Sequence, residues 1–277
     1  MRARGFTLIE MVVVIVLMGI VGSMTASIIN SSMEGYHNQT RRERLQSTAR
    51  LAIERIQREI RQALPNSICT TSGSGCSAGG NKVYFLKIID AGRYQDQSGN
   101  YASGAVRAPL PVPSIGASTR FDVISGVGLQ ATVGDWAVVY NLDNSAIYTI
   151  GSRRKQITGI TQKDIDGNGT MDIDVLQFAS GTFPQQSPSR RFQVIEGRST
   201  MFYCQGGNLY RATGDFATPS TPKEAQPPLL LESVSACSFT YDPGSQYRAA
   251  LLRIDLTITD QGETIHISQE AHVYNVS

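Results

Sequence analysis

The first 64 positions of the chain follow one continuous helical pattern that has two distinct parts. From Met11 to Ile29 there are nineteen residues without a charge, which form about 28 Å of α-helix at a rise of about 1.5 Å per residue. That length spans the hydrocarbon core of a bilayer. An ordinary signal peptide has a shorter apolar core and a small-residue cleavage site. Here the helical pattern continues instead, so we expect the segment to stay as a membrane anchor.

The second part, residues 30–64, combines apolar and charged positions at helical spacing. It contains no proline, and Pro65 is expected to end it. Its polar face carries seven Arg and four Glu, with an i,i+4 ion pair predicted between Glu54 and Arg58. This face is typical of a solvated surface or of ion pairs between neighbouring subunits. Nucleic-acid binding is not expected, because interleaved aromatic residues are missing. The apolar stripe, predicted to pack on the rest of the chain, is Leu45, Ala49, Ala52, Ile56, Ile60 and Ala63.

After Pro65 the pattern changes to short β-branched runs separated by Gly, Pro, Asn and Asp, which predicts a mainly antiparallel β head. In the run 251–259 apolar and polar residues alternate, and Gly262 lies in the turn to a last strand, so these two strands are predicted to form a hairpin. Residues 92–114 and 213–228 are predicted as long surface loops. The predicted strands are 82–89, 137–142, 172–178, 201–205, 236–241, 251–259 and 264–274.

The composition also indicates the cellular compartment of the head. The net charge is +2 and 17% of the residues are charged, which indicates neither disorder nor polyanion binding. Four cysteines fit two disulfides, and therefore a head outside the cytosol. We expect Cys69 with Cys76 to close a small loop and Cys204 with Cys237 to join two strands. The sequence alone leaves the connectivity open, and four buried free thiols are the alternative.

A short motif at the start of the chain carries a family resemblance. Residues 4–10 read RGFTLIE and lead into the apolar helix. This arrangement resembles the class III leader of type IV pilins and of type II secretion pseudopilins. The resemblance implies that a prepilin peptidase cleaves between Gly5 and Phe6 and methylates the new amino group of Phe6. It also implies a subunit anchored in the inner membrane, with a periplasmic head, until it enters an extracellular pilus.

Glu10 interrupts the apolar segment near its start. An ionised carboxylate within a bilayer costs about 2.5 to 3.5 kcal/mol unless something compensates its charge. The resemblance implies that Glu10 faces the cationic amino terminus of an adjacent subunit, so that two unpaired charges become one ion pair. The alternative is a carboxylate that reaches the lipid headgroups. Gly19 and Gly22 match helix-weakening positions of the family, and a close-packing face of small residues is an equal alternative.

Three stretches of the head extend the resemblance: 202–211 (FYCQGGNLYR), 234–244 (VSACSFTYDPG) and the closing hairpin. They resemble MshO-type minor pilins of the mannose-sensitive haemagglutinin (MSHA) pilus and, more distantly, J-type pseudopilins and PilW-type minor pilins. This implies partners among other minor and major pilins, contacted through the N-terminal helix, in a complex that starts assembly and lies at the pilus tip. A tip adhesin and a minor pseudopilin of type II secretion are the alternatives.

The organisation that follows is a pilin-like α+β protein in four parts. Residues 1–5 form a cytoplasmic leader, 6–29 a transmembrane helix that becomes the filament core, 30–64 a periplasmic amphipathic helix, and 65–277 a β-rich globular head. No G-x-S-x-G, H-E-x-x-H or P-loop motif is present. We therefore expect a structural protein and not an enzyme.

The middle of the chain contains one array of alternating oxygen side chains, Asp164-Ile165-Asp166-Gly167-Asn168-Gly169-Thr170-Met171-Asp172. Such ligands on a loop turned by glycine match most of an EF-hand calcium loop. Val175 stands where that loop has its bidentate Glu, so Asp172, Asp174 or a distant residue would have to close the coordination. A simple hairpin turn is the alternative. The predicted calcium ligands are Asp164, Asp166, Asn168, Thr170, Asp172 and Asp174.

Overall fold

A computed structural model describes residues 7–73, 75–148, 153–244 and 249–273. One helix, α1 (Leu8–Ile60), contains both the apolar run and the amphipathic segment. Thr7 is its N-cap: the backbone of Thr7 is extended, and its Oγ1 accepts a hydrogen bond from the N–H of Glu10 at 3.4 Å. The predicted long N-terminal helix followed by an antiparallel β head is confirmed.

The helix ends at Ile60, four residues before the end predicted from Pro65. The following residues leave the helical hydrogen-bond pattern because they bond to a neighbouring strand. Leu64 N–H donates to Leu86 O, and Ile88 N–H donates to Gln62 O. Backbone pairing with the sheet therefore replaces the last helical turn.

The polar face of α1 also differs from the prediction. Within the described residues, Glu54 and Arg58 form no ion pair. Arg55 Nε instead contacts Glu59 Oε1 at 3.3 Å, and Arg211 Nε contacts Glu59 Oε2 at 2.9 Å. Because Arg211 belongs to the head, the ion pair of Glu59 with Arg211 connects α1 to the larger sheet.

In the described ranges the head consists of strands, with one short helix, α2 (Asn144–Tyr148). The strands are β1 (Cys69–Thr71), β2 (Gly79–Gly80), β3 (Lys82–Arg93), β4 (Ser118–Val123), β5 (Trp136–Val138), β6 (Arg154–Lys163), β7 (Ile173–Gly181), β8 (Arg191–Gln205), β9 (Asn208–Gly214), β10 (Leu229–Leu231), β11 (Val234–Asp242), β12 (Ala250–Asp260) and β13 (Glu263–Val273).

These strands form two antiparallel sheets. The larger has the order β1-β3-β8-β5-β6-β7-β4, with β9 paired to β8 and β10 paired to β9. The smaller has the order β13-β12-β11-β2. Each predicted strand coincides at least in part with an observed one, whereas β1, β2, β4, β6, β9, β10 and the first half of β8 were not predicted. Several of these, such as β6 (RKQITGITQK), mix polar residues without a clean alternation.

The apolar stripe of α1 lies in the main core, between the two sheets. Ala49, Ile56 and Ile60 are fully buried there. They pack with Phe85 and Phe202 of the larger sheet, and with a row from β12, Leu252, Ile254, Leu256 and Ile258. A second core, built around Phe121, contains no residue of α1 and lies under β4, β6 and β7. The stripe prediction is confirmed, except that Leu45 at its start is only partly buried.

Both cysteine pairs are disulfides in the structure. Cys204 of β8 bonds to Cys237 of β11 and so joins the two sheets. Cys69 of β1 bonds to Cys76, in the loop that leads to β2. Since β2 pairs with β11 of the smaller sheet, this disulfide fixes a second connection between the sheets.

Candidate assembly site and candidate calcium loop

The N-terminal part of α1 exposes its apolar side chains in all directions. Ile15 is 65% exposed and Leu17 is 56% exposed. The helix is long and apolar enough to cross a membrane. Exposing a single large aliphatic side chain forgoes about 1.5 to 3 kcal/mol. A continuous run of them therefore requires lipid or other protein around it.

Glu10 lies at the start of this exposed part, in the first turn of α1. The position suits a carboxylate, because the free N–H groups and the dipole of a helix favour negative charge at its N-terminus. Its side chain is exposed and has no ion pair in the described part of the chain. Gly5 and Phe6, the predicted processing residues, lie outside the described residues. Glu10 is therefore available to a charge that another molecule brings.

Gly19 and Gly22 lie inside the continuous helix, with open space around them. A Cβ added at either position would meet nothing within 4 Å. Among the described residues, no contact requires a glycine at either position. Both interpretations, a helix-weakening position and a packing face for another helix, remain compatible with this placement.

The same segment matches a known family. Residues 1–26 match the family model described as the prokaryotic N-terminal methylation motif. This match supports a type IV pilin-like protein, a pilin or pseudopilin that is a substrate of a prepilin peptidase. A search of curated proteins found no match, and a search of solved structures found none.

The acidic loop between β6 and β7 brings three of the predicted ligands together. One carboxylate oxygen from each of Asp164, Asp166 and Asp172 lies within 4.8 Å of the others. Gly167 and Gly169 have φ of 82° and 84°, which glycine adopts without strain. Their N–H groups donate to the Asp164 carboxylate, and these bonds hold the pKa of Asp164 below its ordinary value. The loop thus keeps Asp164 ionised.

The other predicted ligands are placed differently. Asp174 is buried, and its Oδ2 accepts hydrogen bonds from the N–H groups of Gly128 and Leu129 at 2.8 and 2.9 Å. It therefore lies outside the three-carboxylate group. Asn168 donates from Nδ2 to Asp166 Oδ2, and its Oδ1 accepts from the N–H of Thr170. These two residues belong to the loop and shape it around the carboxylates.

A hydrogen-bonded group beside this loop, formed by Asp122, Lys163 and Tyr101, was not predicted from the sequence. The buried Asp122 accepts from Lys163 Nζ at 2.6 Å and from Tyr101 OH at 2.9 Å. Burial raises the pKa of Tyr101 to about 12, so its hydroxyl remains a donor. Ser103, two residues away, donates from its backbone to Ile165 O. No local pattern reveals this arrangement, because it joins three segments that are far apart in the chain.

Proposed function

We propose that this chain is a minor pilin of a type IV pilus of the MSHA kind, which a prepilin peptidase cleaves and methylates and which helps to initiate or cap assembly. The observation that carries the proposal is Glu10 at the start of an exposed apolar helix. In a bilayer that carboxylate has no ion-pair partner among the described residues of its own chain, at a cost of about 2.5 to 3.5 kcal/mol. The cationic amino group of Phe6 in an adjacent subunit supplies the missing charge and fixes the axial register.

The head supports a place at the pilus tip. It is built on two sheets and carries a second core that α1 does not reach. A subunit with so bulky a head, repeated along the shaft, would crowd its neighbours. One copy at the end of a filament meets no such restriction. The resemblance of the head to MshO-type minor pilins supports the same position.

Deletion of the gene tests this role against its alternatives. We expect loss of filaments, restored by the wild-type gene but not by a Glu10→Leu variant. Normal filament numbers with lost adherence would contradict the proposal and favour a tip adhesin. Normal filaments with lost secretion of exoproteins would favour a minor pseudopilin of type II secretion. Electron microscopy measures the number of filaments, an adherence assay measures adherence, and analysis of the culture medium measures the secretion of exoproteins.

We also propose that the acidic loop binds calcium. The residues that would hold the ion are Asp164, Asp166 and Asp172, with Asn168 and Thr170 completing the loop. Three converging carboxylates and hard oxygen donors suit this cation. A bound ion would neutralise their mutual repulsion and make the loop rigid, without a role in any reaction. Asp174 is not assigned to the site, because its carboxylate already accepts from Gly128 and Leu129.

The calcium proposal is tested by thermal unfolding of the full chain in detergent. A dissociation constant of about 10⁻⁴ M, as in extracellular modules, would stabilise the protein by about 1.4 kcal/mol at about 1 mM calcium. We expect a higher Tm with calcium, no such shift with magnesium, and no response in Asp166→Ala. Asp215→Ala, which removes a carboxylate outside the loop, should respond as the wild type does. An unchanged wild-type Tm at millimolar calcium would refute the site.

A further inference from the structure

The last strand, β13, forms an open edge of the smaller sheet. Its register with β12 runs from Asp260↔Glu263 to Ala250↔Val273 without a shift. Its sequence, ETIHISQEAHV, contains neither proline nor lysine. Bulges, prolines, charged side chains and a covering helix are devices by which proteins protect sheet edges from pairing with other chains. From Thr264 to Gln269 this edge has no bulge, proline, Lys, Arg, Asp or Glu, and a groove separates it from α1.

The turn before β13 determines which backbone groups face outward. Gln261 and Gly262 both have positive φ, 46° and 88°, as in a two-residue type I′ hairpin turn. Asp260 and Glu263 then form the closing hydrogen-bonded pair. Every second residue from Thr264 onward consequently directs its N–H and C=O away from β12.

Two hydrogen bonds agree with this assignment. Gln57 Nε2 donates to the backbone oxygen of Glu270 at 3.0 Å, which shows that this oxygen is accessible from α1. Thr259 donates its N–H to Ser233 O, away from β13, and Thr259 is the residue opposite Thr264. The outward backbone groups of His266 and Ser268, between these positions, have no hydrogen-bond partner among the described residues.

A groove lies along this edge, between β13 and α1. The Arg42–Glu263 ion pair (2.8 Å) links α1 to β13 beyond one end of the groove, and the Gln57–Glu270 hydrogen bond links them at the other. The groove has a volume of about 440 Å³. Six residues, 264–269, remain between the two ends, which is about 20 Å of strand. The α1 wall is formed by Gln46, Arg50, Ile53, Glu54 and Gln57.

We propose that an extended segment of a partner subunit pairs with β13 in this groove and adds a strand to the smaller sheet. The inference rests on the proposed function, since it requires assembly with another subunit. Main-chain hydrogen bonds to His266 and Ser268 supply the affinity. Arg50 and Glu54 have no ion pair in the described residues and lie about 6 Å apart along the helix. That spacing matches two residues of a strand, so the segment carries an acidic and a basic side chain at positions i and i+2.

The direction of α1 excludes a second β13 strand as the antiparallel partner. Arg42 of α1 contacts Glu263 of β13. Gln57, fifteen residues further along α1, contacts Glu270, which is seven residues further along β13. The helix and β13 therefore run in the same direction. Antiparallel pairing of two β13 strands would turn the two helices in opposite directions, which anchoring in one membrane does not allow. The partner proposed here is therefore a segment of a different subunit.

Ser268→Pro in the full-length chain tests the proposal. Proline removes an N–H that points away from β12, so the hairpin keeps its own hydrogen bonds. We expect at least tenfold less incorporation into filaments, whereas Ser268→Ala, which keeps the N–H, should stay within twofold of the wild type. In the wild type, the amides of His266 and Ser268 should exchange rapidly in the isolated chain and slowly in the assembled state.

The outcomes separate this proposal from the proposed function. Wild-type chains that keep Met1 in the presence of the peptidase would overturn both. Processed Ser268→Pro chains that enter filaments as the wild type does, or wild-type amides that exchange equally fast before and after assembly, would overturn the β13 pairing alone. Disulfide-linked homodimers of Ser268→Cys would assign the groove to a second copy and would also contradict the partner proposed here.

Discussion

The two halves of α1 belong to one continuous helix but have opposite surfaces. Residues 8–29 expose their aliphatic side chains, whereas Ala49, Ile56 and Ile60 are fully buried between the sheets. The first half has apolar residues on all sides, and the second has one stripe. A helix that is apolar all round needs lipid or protein on every side, while a stripe needs one surface. The first half therefore serves contacts outside the chain, and the second half stabilises the head.

The largest effect expected from this comparison is on the buried half. Ile56→Ala leaves a cavity in the main core and should lower the free energy of unfolding by about 2 to 5 kcal/mol. Leu51→Ala is the matched control, because Leu51 lies on the same helix and is 66% exposed. It should change the stability by less than about 0.5 kcal/mol. Urea unfolding measures both. Equal losses would contradict the assignment of the stripe.

Glu10→Leu tests the exposed half. It should leave the folding of the head unchanged and reduce incorporation into filaments at least tenfold, which corresponds to about 1.4 kcal/mol. The reason is the loss of the ion pair with the amino group of the neighbouring subunit. Glu34→Leu, on the same helix but beyond the apolar run, is the control and should assemble within twofold of the wild type. The measurement is quantitative immunoblotting of sheared filaments.

A smaller effect is expected where the helix meets the head through charge. Glu59→Gln weakens the contacts with Arg55 and Arg211 and should cost about 1 kcal/mol, since the pair is partly exposed and solvent screens it. Glu54→Gln, which removes an unpaired carboxylate nearby, should have almost no effect. Thermal unfolding of the two variants compares them. A Glu59→Gln protein with the Tm of the wild type would show that apolar packing alone holds the helix.

Patterns of local periodicity predicted the parts of the fold that rest on local chemistry. The stripe of α1 and the alternation in β12 each follow from burial of one face. The sequence did not predict β6, because its mixed polar residues, including Gly159, follow no period. The early end of α1 was also missed, since it depends on hydrogen bonds to Leu86 and Ile88 from a strand more than twenty residues away.

The candidate sites also differ in how far the sequence predicts them, because some are built from consecutive residues and others from distant segments. The acidic loop is visible in the sequence because its residues are consecutive, and the structure brings the carboxylates of Asp164, Asp166 and Asp172 together. Asp174 was predicted with them, but its direction depends on the backbone of Gly128 and Leu129. The open edge of β13 requires knowledge of the strand order, which no local pattern contains.

An ion pair between Glu10 and the amino group of a neighbouring subunit requires a mature chain that begins at Phe6. Mass spectrometry of the purified native protein, from cells with and without the prepilin peptidase, measures this directly. We expect an N-methylated Phe6 at the N-terminus in the first case and the uncleaved leader in the second. A chain that keeps Met1 in the presence of the peptidase would contradict it.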